Sequence, residues 1–566
     1  MKNIKVWAMF GVMALALTAC VKDLDTKPID KKSSTAFNQD ALFTKIYSTL
    51  ATTGQQGPAG SADIEGADEG VSGFYRVMWE LNEFPTDEGW WIWGDPGVDV
   101  ARTMKWDGQN ALVKMLYDRF IIVIKYCNHF LEYADTGGES DVQRAEVRFI
   151  RALNYWYMLD MFYVAPFIDG ESFDNPVFKT RPELYAWLEA ELDDLTKALP
   201  TSRKQTYRVD QTAAWLLLAR LRLNAPVYTS AMDSKGNANN IQTNYDGAIY
   251  AADRALNSSY HLHTTSKTNE DGIVYTPYQQ LFMGDNDING AQNEAVLLVY
   301  QDGNYCRTYC GAQFAIAATR DGGMTPWGCS ANWKCFRSSP QLVYKFVSQM
   351  AADTIKADEY HMREYAHDDR AILCSYVEGN PNTWKLSGGM AADFYASWAC
   401  PKFTALYSTA AHISDVTGSH SEWADTDIPL MRIAEAYLIK AEAMFRKGDV
   451  SEAMDVINNS IRKRANAKPL ETLDEMTLLD EWCREFWGEG RRRTDLIRFD
   501  RFAGAKADNN NYHWEGRNSS NAFTHADEQF NWFPIPTDDK VNNPNFKNQV
   551  KSIPGILKGG DGYEYE

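Results

Sequence analysis

The chain has 566 residues, of which 45% are hydrophobic, and its formal net charge at pH 7 is -19. A chain this long and apolar has enough hydrophobic residues for one large core or two fused ones, and we expect a single large globular unit. The negative charge argues against nucleic acid as a partner, since phosphate binding requires clustered positive side chains.

The first twenty residues carry an export pattern. Lys2 and Lys5 precede an apolar run over residues 6–17, and the small residue Ala19 stands directly before Cys20. This order is typical of a lipoprotein signal peptide, so residues 1–19 are predicted to be removed, Cys20 to be lipidated and residues 20–36 to form a polar tether. An ordinary secreted protein with a chance cysteine is the alternative. No later stretch reaches the roughly 18 uninterrupted apolar residues that a membrane span requires.

The remaining cysteines are irregularly spaced. They are Cys127, Cys306, Cys310, Cys329, Cys335, Cys374, Cys400 and Cys483. Neither Cys306 with Cys310 nor Cys329 with Cys335 fits a common zinc spacing, so scattered thiols or one or two disulfides are favoured. Oxygen ligands for calcium are available in Asp285, Asp287 and Asp302, but the spacing is not that of an EF-hand. We predict no metal site and no cofactor.

Helical periodicity dominates the chain, which predicts a mainly α fold. Amphipathic stripes cover residues 142–161, 182–199, 213–223, 245–256, 430–446 and 450–461. Gly448 is predicted to end one helix, and Asp449 with Glu452 to form a capping box at the next. The pairs resemble degenerate tetratricopeptide repeats, so we expect a helical-repeat scaffold over about 37–260 and 427–502. Residues 54–110 and 260–426 are predicted to be a loop-rich region with short strands, where binding residues usually lie.

Several long segments together resemble one family. They are AEVRFIRALNYWYMLDMF from Ala145, ELDDLTKALP from Glu191, DIPLMRIAEAYLIKAEAMF from Asp427, EFWGEGRRRTDLIRF from Glu485 and FPIPTDDKVNNPNF from Phe533. Over essentially the whole mature chain the sequence resembles the SusD/RagB family of outer-membrane lipoproteins from Bacteroidetes. The resemblance implies a SusD-like fold over residues 37–566 and a lipid-anchored protein on the cell surface. It also implies a protein that is not an enzyme and that captures oligosaccharide for a SusC-like, TonB-dependent outer-membrane transporter.

Three tryptophans crowd into one short segment. Trp90, Trp91 and Trp93 follow no helix or strand period that would bury all of them. Sugars offer hydroxyl edges and weakly apolar C–H faces that stack on aromatic rings, so at least one exposed indole is expected here. The alternative is a loop that caps a hydrophobic core.

Three runs look closest to the family's starch-binding member: SGFYR at Ser72, NEFPTDEGWWIWGDPG at Asn82 and YQDG at Tyr300. This resemblance implies a starch-type α-1,4-glucan as ligand. The residues it implies at the site are the sugar-facing rings of Trp91, Trp93, Tyr309 and Trp333 and a hydroxyl-binding Arg76. Pro96 stands where the family member has an asparagine, and Asp95 is the candidate to replace its hydrogen bonds.

An enzyme is the competing class. A glycoside hydrolase needs two carboxylates about 5 to 9.5 Å apart, and 76 acidic residues leave that open. The chain contains no G-x-S-x-G, H-E-x-x-H, P-loop or G-x-G-x-x-G motif. Residues 491–493, three consecutive arginines, are predicted to pair with scaffold carboxylates rather than to bind phosphate. Another glycan, or a peptide, is the alternative cargo within the family.

Overall fold

The computed structural model of the protein describes residues 37–54, 57, 60–170, 175–230, 242–321, 324, 327–376, 397–409, 422–503 and 528–546. The predicted signal peptide, Cys20 and the tether lie outside these residues.

The described residues are mostly helical, as the sequence predicts. The α-helices are α1 Gln39–Ser48, α2 Phe74–Glu83, α3 Val98–Arg102, α4 Ala111–Tyr133, α5 Glu139–Met161, α6 Arg181–Ala198, α7 Gln211–Leu223, α8 Ala225–Tyr228, α9 Tyr245–Leu256, α10 Pro277–Gln280, α11 Ala312–Thr319, α12 Pro340–Tyr344, α13 Gln349–Ala352, α14 His361–Ala366, α15 Ala434–Lys447, α16 Val450–Ile457, α17 Glu475–Phe486, α18 Arg492–Arg498 and α19 Thr537–Asn542. The strands are β1 Gly89–Trp91, β2 Val164–Phe167, β3 Val177–Thr180, β4 Lys267–Thr268, β5 Val274–Tyr275, β6 Ala295–Val299, β7 Phe336–Ser338 and β8 Ile428–Arg432. They pair antiparallel in four two-stranded sheets, β1 with β7, β2 with β3, β4 with β5 and β6 with β8.

The long helices form an array in which each packs on the next. Helices α4, α5, α6, α7 and α9 follow this order, and α15 then packs on α9 although 177 residues separate them in the chain. Small side chains make the close approach of α9 to its neighbours feasible, since Ala248, Ala251, Ala252 and Ala255 are all buried on it. The predicted helix pairs are confirmed, and the helical array is the scaffold of the molecule.

Two local predictions about this array are wrong. Residues 428–432, predicted in part as the start of a helix, form β8, which pairs with β6. Gly448 does end α15, in a left-handed conformation at φ 99°, but Asp449 makes no side-chain cap on α16. Helix α16 continues into a π-helical segment at Asn458–Arg462.

The described part of the region predicted to be loop-rich contains short strands, as expected, but also seven helices that were not predicted, of which α2 and α11 are the longest. Every residue of α2 and every residue of α11 is buried. Helix α11 is apolar on every side and so shows no amphipathic stripe, whereas α2 is amphipathic but only ten residues long and lies in a segment rich in Gly and Asp. Both helices lie beneath the candidate site.

A network of buried ion pairs joins the array to the strand pair β6 and β8. Arg432 lies 2.7 Å from a Glu294 oxygen, 2.9 Å from a Glu485 oxygen and 2.7 Å from a Glu489 oxygen. Arg464 pairs with the same Glu294 at 2.7 Å and with Glu485. These side chains are almost fully excluded from solvent, so each charge depends on its partners.

The three consecutive arginines belong to similar pairs, as predicted. Arg491 pairs with Asp495 and Glu435, Arg492 with Asp87, and Arg493 with Asp160. Their guanidinium groups are therefore part of the scaffold.

The eight cysteines other than Cys20 are all free thiols in the structure. Six are buried, while Cys306 and Cys329 are partly exposed. No helix among the described residues combines the length and the apolar character needed to cross a membrane.

Candidate functional site

The three clustered tryptophans have different environments. Strand β1 pairs Gly89 with Ser338 and Trp91 with Phe336, and it places both Trp90 and Trp91 in the interior. Position 89, at the start of this strand, accepts only glycine, because a Cβ there would lie 2.4 Å from the ring of Phe336. Trp93 follows the strand and is 36% exposed, so one indole of the three reaches the surface.

Trp91 is 1% exposed, which corrects the prediction that its ring faces a ligand. Its ring stacks on Phe314 at a centroid distance of 5.7 Å and contacts the edge of Trp93 at 6.2 Å. Its indole nitrogen donates a 2.9 Å hydrogen bond to the Asp95 carboxylate. Trp91 therefore supports Trp93 and orients Asp95 from below, and burial of so large a ring contributes to stability.

Four aromatic rings from distant parts of the chain lie side by side in what we call the aromatic arc, Trp93, Trp333, Tyr309 and Trp423. Centroids of neighbouring rings are 5.9, 5.3 and 4.8 Å apart in that order, with interplanar angles of 35°, 44° and 52°. Because each ring is tilted against the next, the four rings do not lie in one plane. The structure thus brings Trp93, Trp333 and Tyr309 together, as the sequence predicts.

Trp423 was not predicted. It is 8% exposed, whereas Trp333 and Tyr309 are half-buried, so it closes the arc at its more enclosed end. A single tryptophan in a polar loop gives no periodic signal, and only its contact with Tyr309 identifies it as part of the arc.

Helix α11 holds the arc in place from beneath. The ring of Phe314 underlies Trp91 and lies 6.4 Å from Trp333. The Ala317 carbonyl accepts from the backbone nitrogens of Trp333 and Lys334, at 2.6 and 3.2 Å. The Gln313 side chain donates to the Glu422 carbonyl and accepts from the Ala424 nitrogen, both at 2.9 Å, on either side of Trp423. One short helix therefore fixes three of the segments that form the site.

Arg76 lies under the same rings. Its guanidinium carbon is 4.6 Å from the centroid of Phe314 and 5.8 Å from that of Trp333. Nε donates to Glu80 at 2.9 Å, and Nη1 donates to the Gly70 carbonyl at 2.6 Å. The side chain is 9% exposed, so Arg76 forms the floor of the arc, with Nε and one N–H of Nη1 bonded to the protein.

Asp95 and Pro96 lie at the Trp93 end of the arc. Asp95 is half-buried and accepts from Trp91 with Oδ2, and its backbone carbonyl accepts from the nitrogen of Val98 at 3.1 Å. Pro96 is exposed and has no N–H to donate. Asp95 is therefore the polar side chain that this segment holds beside the exposed indole.

Carboxyl groups near the arc are engaged by the protein. Burial raises the pKa of Glu80, although its ion pair with Arg76 lowers it. Burial also raises the pKa of Glu69, which accepts a 2.8 Å hydrogen bond from Thr308. The pKa of Tyr309 is raised by burial and by the charges of Glu422 and Glu69, so its phenol stays protonated and can donate a hydrogen bond.

The candidate calcium ligands do not form a metal site in the part of the chain that the structure describes. There, no group of three or more His, Cys, Asp or Glu side chains is arranged to hold an ion. Asp285 accepts from the backbone nitrogen and hydroxyl of Ser408, at 3.0 and 2.6 Å, and Asp302 accepts from the backbone nitrogen of Asn304 at 2.7 Å.

Solved structures share this architecture. A SusD superfamily protein from Bacteroides vulgatus matches with a TM-score of 0.61 at 16% identity, over 90% of this chain and 97% of the other. Surface glycan-binding protein A from Bacteroides uniformis matches with a TM-score of 0.62 at 17% identity, over 90% of this chain and 98% of the other. The fold is thus that of the SusD superfamily.

The sequence comparisons assign the family. The sequence model of the SusD family matches residues 325–552. The starch-binding protein SusD of Bacteroides thetaiotaomicron is 36% identical over 569 aligned residues, which cover 95% of this chain and 96% of the relative. The chain belongs to the SusD family.

Proposed function

We propose that the protein binds oligosaccharides on the aromatic arc and that starch-type α-1,4-glucans are its ligands. The observation that carries this proposal is the run of four rings, each tilted by 35° to 52° against its neighbour. A helical glucan presents a curved series of C–H faces, and tilted rings follow such a curve better than a flat platform. A relative that is 36% identical over nearly the whole chain is named as a starch-binding protein, which supports the same cargo.

Polar groups around the rings supply partners for sugar hydroxyls. In this proposal Nη2 of Arg76 donates from the floor, the Tyr309 phenol donates from the rim, and the carboxylate of Asp95 accepts beside Trp93. Trp91 positions Asp95 through its indole hydrogen bond and does not touch the sugar. Fixed polar groups of this kind set the orientation of a ligand that stacking alone would leave free to slide.

The proposed setting is the cell surface. Cys20 carries the lipid that anchors the protein to the outer membrane, and the folded body faces outward. The captured chain passes to a SusC-like, TonB-dependent transporter. This part of the proposal rests on the export pattern before Cys20 and on family membership.

We also propose that the protein does not cleave what it binds. Retaining and inverting hydrolysis both require a pair of available carboxyl groups. Beside the arc, Glu80 is ion-paired with Arg76, Glu69 is buried against Thr308, and Asp95 is hydrogen-bonded to Trp91. To act as a catalytic acid or base, each of these carboxyl groups would have to give up the partner it has in the structure.

The test compares ligands and one matched pair of variants. The purified protein is examined by affinity electrophoresis and calorimetry with starch, maltoheptaose, inulin, xylan and a peptide digest. We expect retention by starch and heat of binding with maltoheptaose, and loss of both in Trp93→Ala but not in Tyr250→Ala, which removes an exposed ring from α9. Binding only to inulin, xylan or peptides contradicts the α-glucan proposal. Release of reducing ends from starch contradicts the absence of catalysis.

A further inference from the structure

A second aromatic surface lies apart from the arc, in a cavity of about 810 Å³. Its walls come from α1 and the residues that follow it, the start of α5, the loop at 205–208, the end of β6 and the loop at 300–306. The volume is within the range of pockets that hold small ligands. We call it the tyrosine cavity after four of its lining residues, Tyr47, Tyr207, Tyr300 and Tyr305.

Three of these tyrosines form a continuous wall. The ring centroids of Tyr300 and Tyr207 are 5.4 Å apart at an angle of 55°, and those of Tyr207 and Tyr47 are 6.3 Å apart at 73°. Tyr305 stands at the rim and is 87% exposed, so packing within the protein does not account for it. Rings that are tilted in sequence and partly exposed repeat the geometry of the aromatic arc.

The polar groups of the cavity favour a neutral ligand. Arg208 is its one arginine, and both its Nε and Nη2 are bound by the carboxylate of Glu146, at 2.9 and 2.5 Å. The same guanidinium lies 4.9 Å from the ring centroid of Phe43. Its charge is thus balanced by Glu146. Gln143 and Gln205 add amides to the lining, and Asp40 adds a carboxylate that accepts from Gln143 at 3.2 Å. Amides and phenols beside aromatic rings suit hydroxyl groups better than anions.

The cavity and the arc each include a residue from the same short segment of the chain. Tyr305 at the rim of the cavity and Tyr309 in the arc are four residues apart, so their Cα atoms are at most about 14 Å from each other. This distance is short enough for one glycan of several sugar units to span it.

We infer that the tyrosine cavity is a second sugar-binding site, which takes a further part of the same neutral glycan chain that lies on the aromatic arc. The inference rests on the proposed function, since it assigns the same ligand class to both surfaces. A chain held at one site is at a high effective concentration for the other, so long glycans gain affinity from the second site and short ones do not.

The test separates the two sites by ligand length. The double variant Tyr300→Ala, Tyr305→Ala is compared with wild type, with Trp93→Ala and with Tyr250→Ala as the control for loss of an exposed tyrosine. The probes are amylopectin in native gels and maltotriose in calorimetry. We expect the double variant to bind amylopectin at least about tenfold more weakly and maltotriose with unchanged affinity. Trp93→Ala is expected to lose both ligands.

A chemical measurement gives a second readout inside the cavity. Cys306 lines it and is partly exposed, and burial together with the charges of Asp302 and Asp427 raises the pKa of its thiol to about 11. Alkylation by iodoacetamide is therefore followed at alkaline pH by mass spectrometry. Maltoheptaose is expected to slow modification of Cys306 in wild type, and to do so less in the double variant.

The outcomes distinguish the inference from the function on which it rests. The second site is overturned if the double variant binds amylopectin with unchanged affinity. It is also overturned if maltoheptaose leaves the alkylation rate of Cys306 unchanged. In either case the Trp93→Ala variant still tests ligand binding at the aromatic arc. Protection of Cys306 by a peptide digest and not by the glucan overturns the second site as well. If wild type binds neither amylopectin nor maltotriose, both proposals for α-glucans fail.

Discussion

In the helical array, buried guanidinium groups are surrounded by carboxylates, whereas beneath the aromatic arc a buried guanidinium lies against rings. Arg432 touches Glu294, Glu485 and Glu489, so its position is fixed by charge on several sides. Arg76 has one carboxylate partner, Glu80, and otherwise faces Phe314 and Trp333. The array uses ion pairs to fix helices relative to one another, whereas beneath the arc the guanidinium packs mainly against aromatic rings.

The largest expected effect comes from breaking the ion network. Arg432→Met leaves three buried carboxylates without their shared cation, so we expect a loss of about 3–5 kcal/mol in the free energy of unfolding. Chemical denaturation measures it. Glycan affinity below the transition should stay near wild type, because the arc does not include this arginine. A loss of under about 1 kcal/mol would show that the array does not depend on these pairs.

The second prediction separates two neighbouring tryptophans. Trp91→Ala empties a buried site and should lower the free energy of unfolding by about 3–5 kcal/mol, as large core truncations do. Trp93→Ala removes a partly exposed ring and should cost under about 1 kcal/mol while abolishing retention by starch. Thermal melts and affinity gels on both variants measure the difference. Equal destabilisation by the two changes would mean that Trp93 is a core plug and not a ligand-binding ring.

The third prediction concerns the loss of stability at low pH, and it tests the ion pairs of the helical array without involving the aromatic arc. Burial by itself would raise the pKa of the Glu481 carboxyl, but the surrounding guanidinium groups outweigh burial and lower the pKa to about 2. These groups belong to Arg370, Arg484 and Arg462. Because the folded-state pKa is depressed, the stabilisation is present above the unfolded pKa of about 4.3 and is lost as the pH falls toward 2.

Urea unfolding of wild type and Glu481→Gln at several pH values measures this loss. The wild type should be more stable by roughly 1–3 kcal/mol near pH 6, and the gap should narrow between pH 4.5 and 2 as the carboxyl becomes protonated. A gap that does not change with pH would mean that the pKa of Glu481 is not lowered by folding.

The smallest effect on stability is expected at a pair of buried carboxyl groups that lie between the helical array and the aromatic arc. Glu83 and Glu88 lie close enough for their charges to interact, and they accept backbone N–H bonds from Gly490 and Gly488 at 2.6 and 2.7 Å, respectively. Burial, followed by the charge of Glu88, raises the pKa of Glu83 well above its ordinary value. A raised folded-state pKa means that wild type loses stability as the pH rises through it.

Glu83→Gln keeps the shape and the acceptor but removes the titrating proton. We expect the variant to lie within about 1 kcal/mol of wild type at pH 5 and to become the more stable protein as the pH increases toward 9. Thermal melts across this range measure the crossover. Severe destabilisation at every pH would show that the carboxyl is needed in its charged form.

Periodicity predicted the helical array because its helices have one buried face. The alanines of α9 and the glycine after α15 are local signals, and the structure confirms both. The two helices under the arc were missed for different reasons: α11 is apolar on every side and shows no stripe, and α2 is a short amphipathic helix within a segment rich in Gly and Asp. Residues 430–432 were assigned to a helix because Leu430 falls on the apolar stripe of the helix that follows, while the pairing of β8 with β6 depends on residues more than 120 positions away.

The candidate site was predicted in part. A resemblance to a family gave Trp93, Tyr309 and Trp333, which the structure brings together. The resemblance did not show that Trp91 is buried and Trp93 exposed. The two residues are only two positions apart, and the sequence does not show that β1 ends between them. Trp423 carries no local signal and is identified only by its distance from Tyr309.

The support of the arc by α11 has a consequence for how fast ligands come and go. Since Phe314, Ala317 and Gln313 fix the rings from one helix, the relative tilt of the rings is set before any ligand arrives. Binding to a preformed site orders few side chains and so loses little conformational entropy. No closing step is then required for release, so we expect bound chains to exchange quickly, and the shape of a glycan, more than its total contact area, to decide whether it is held.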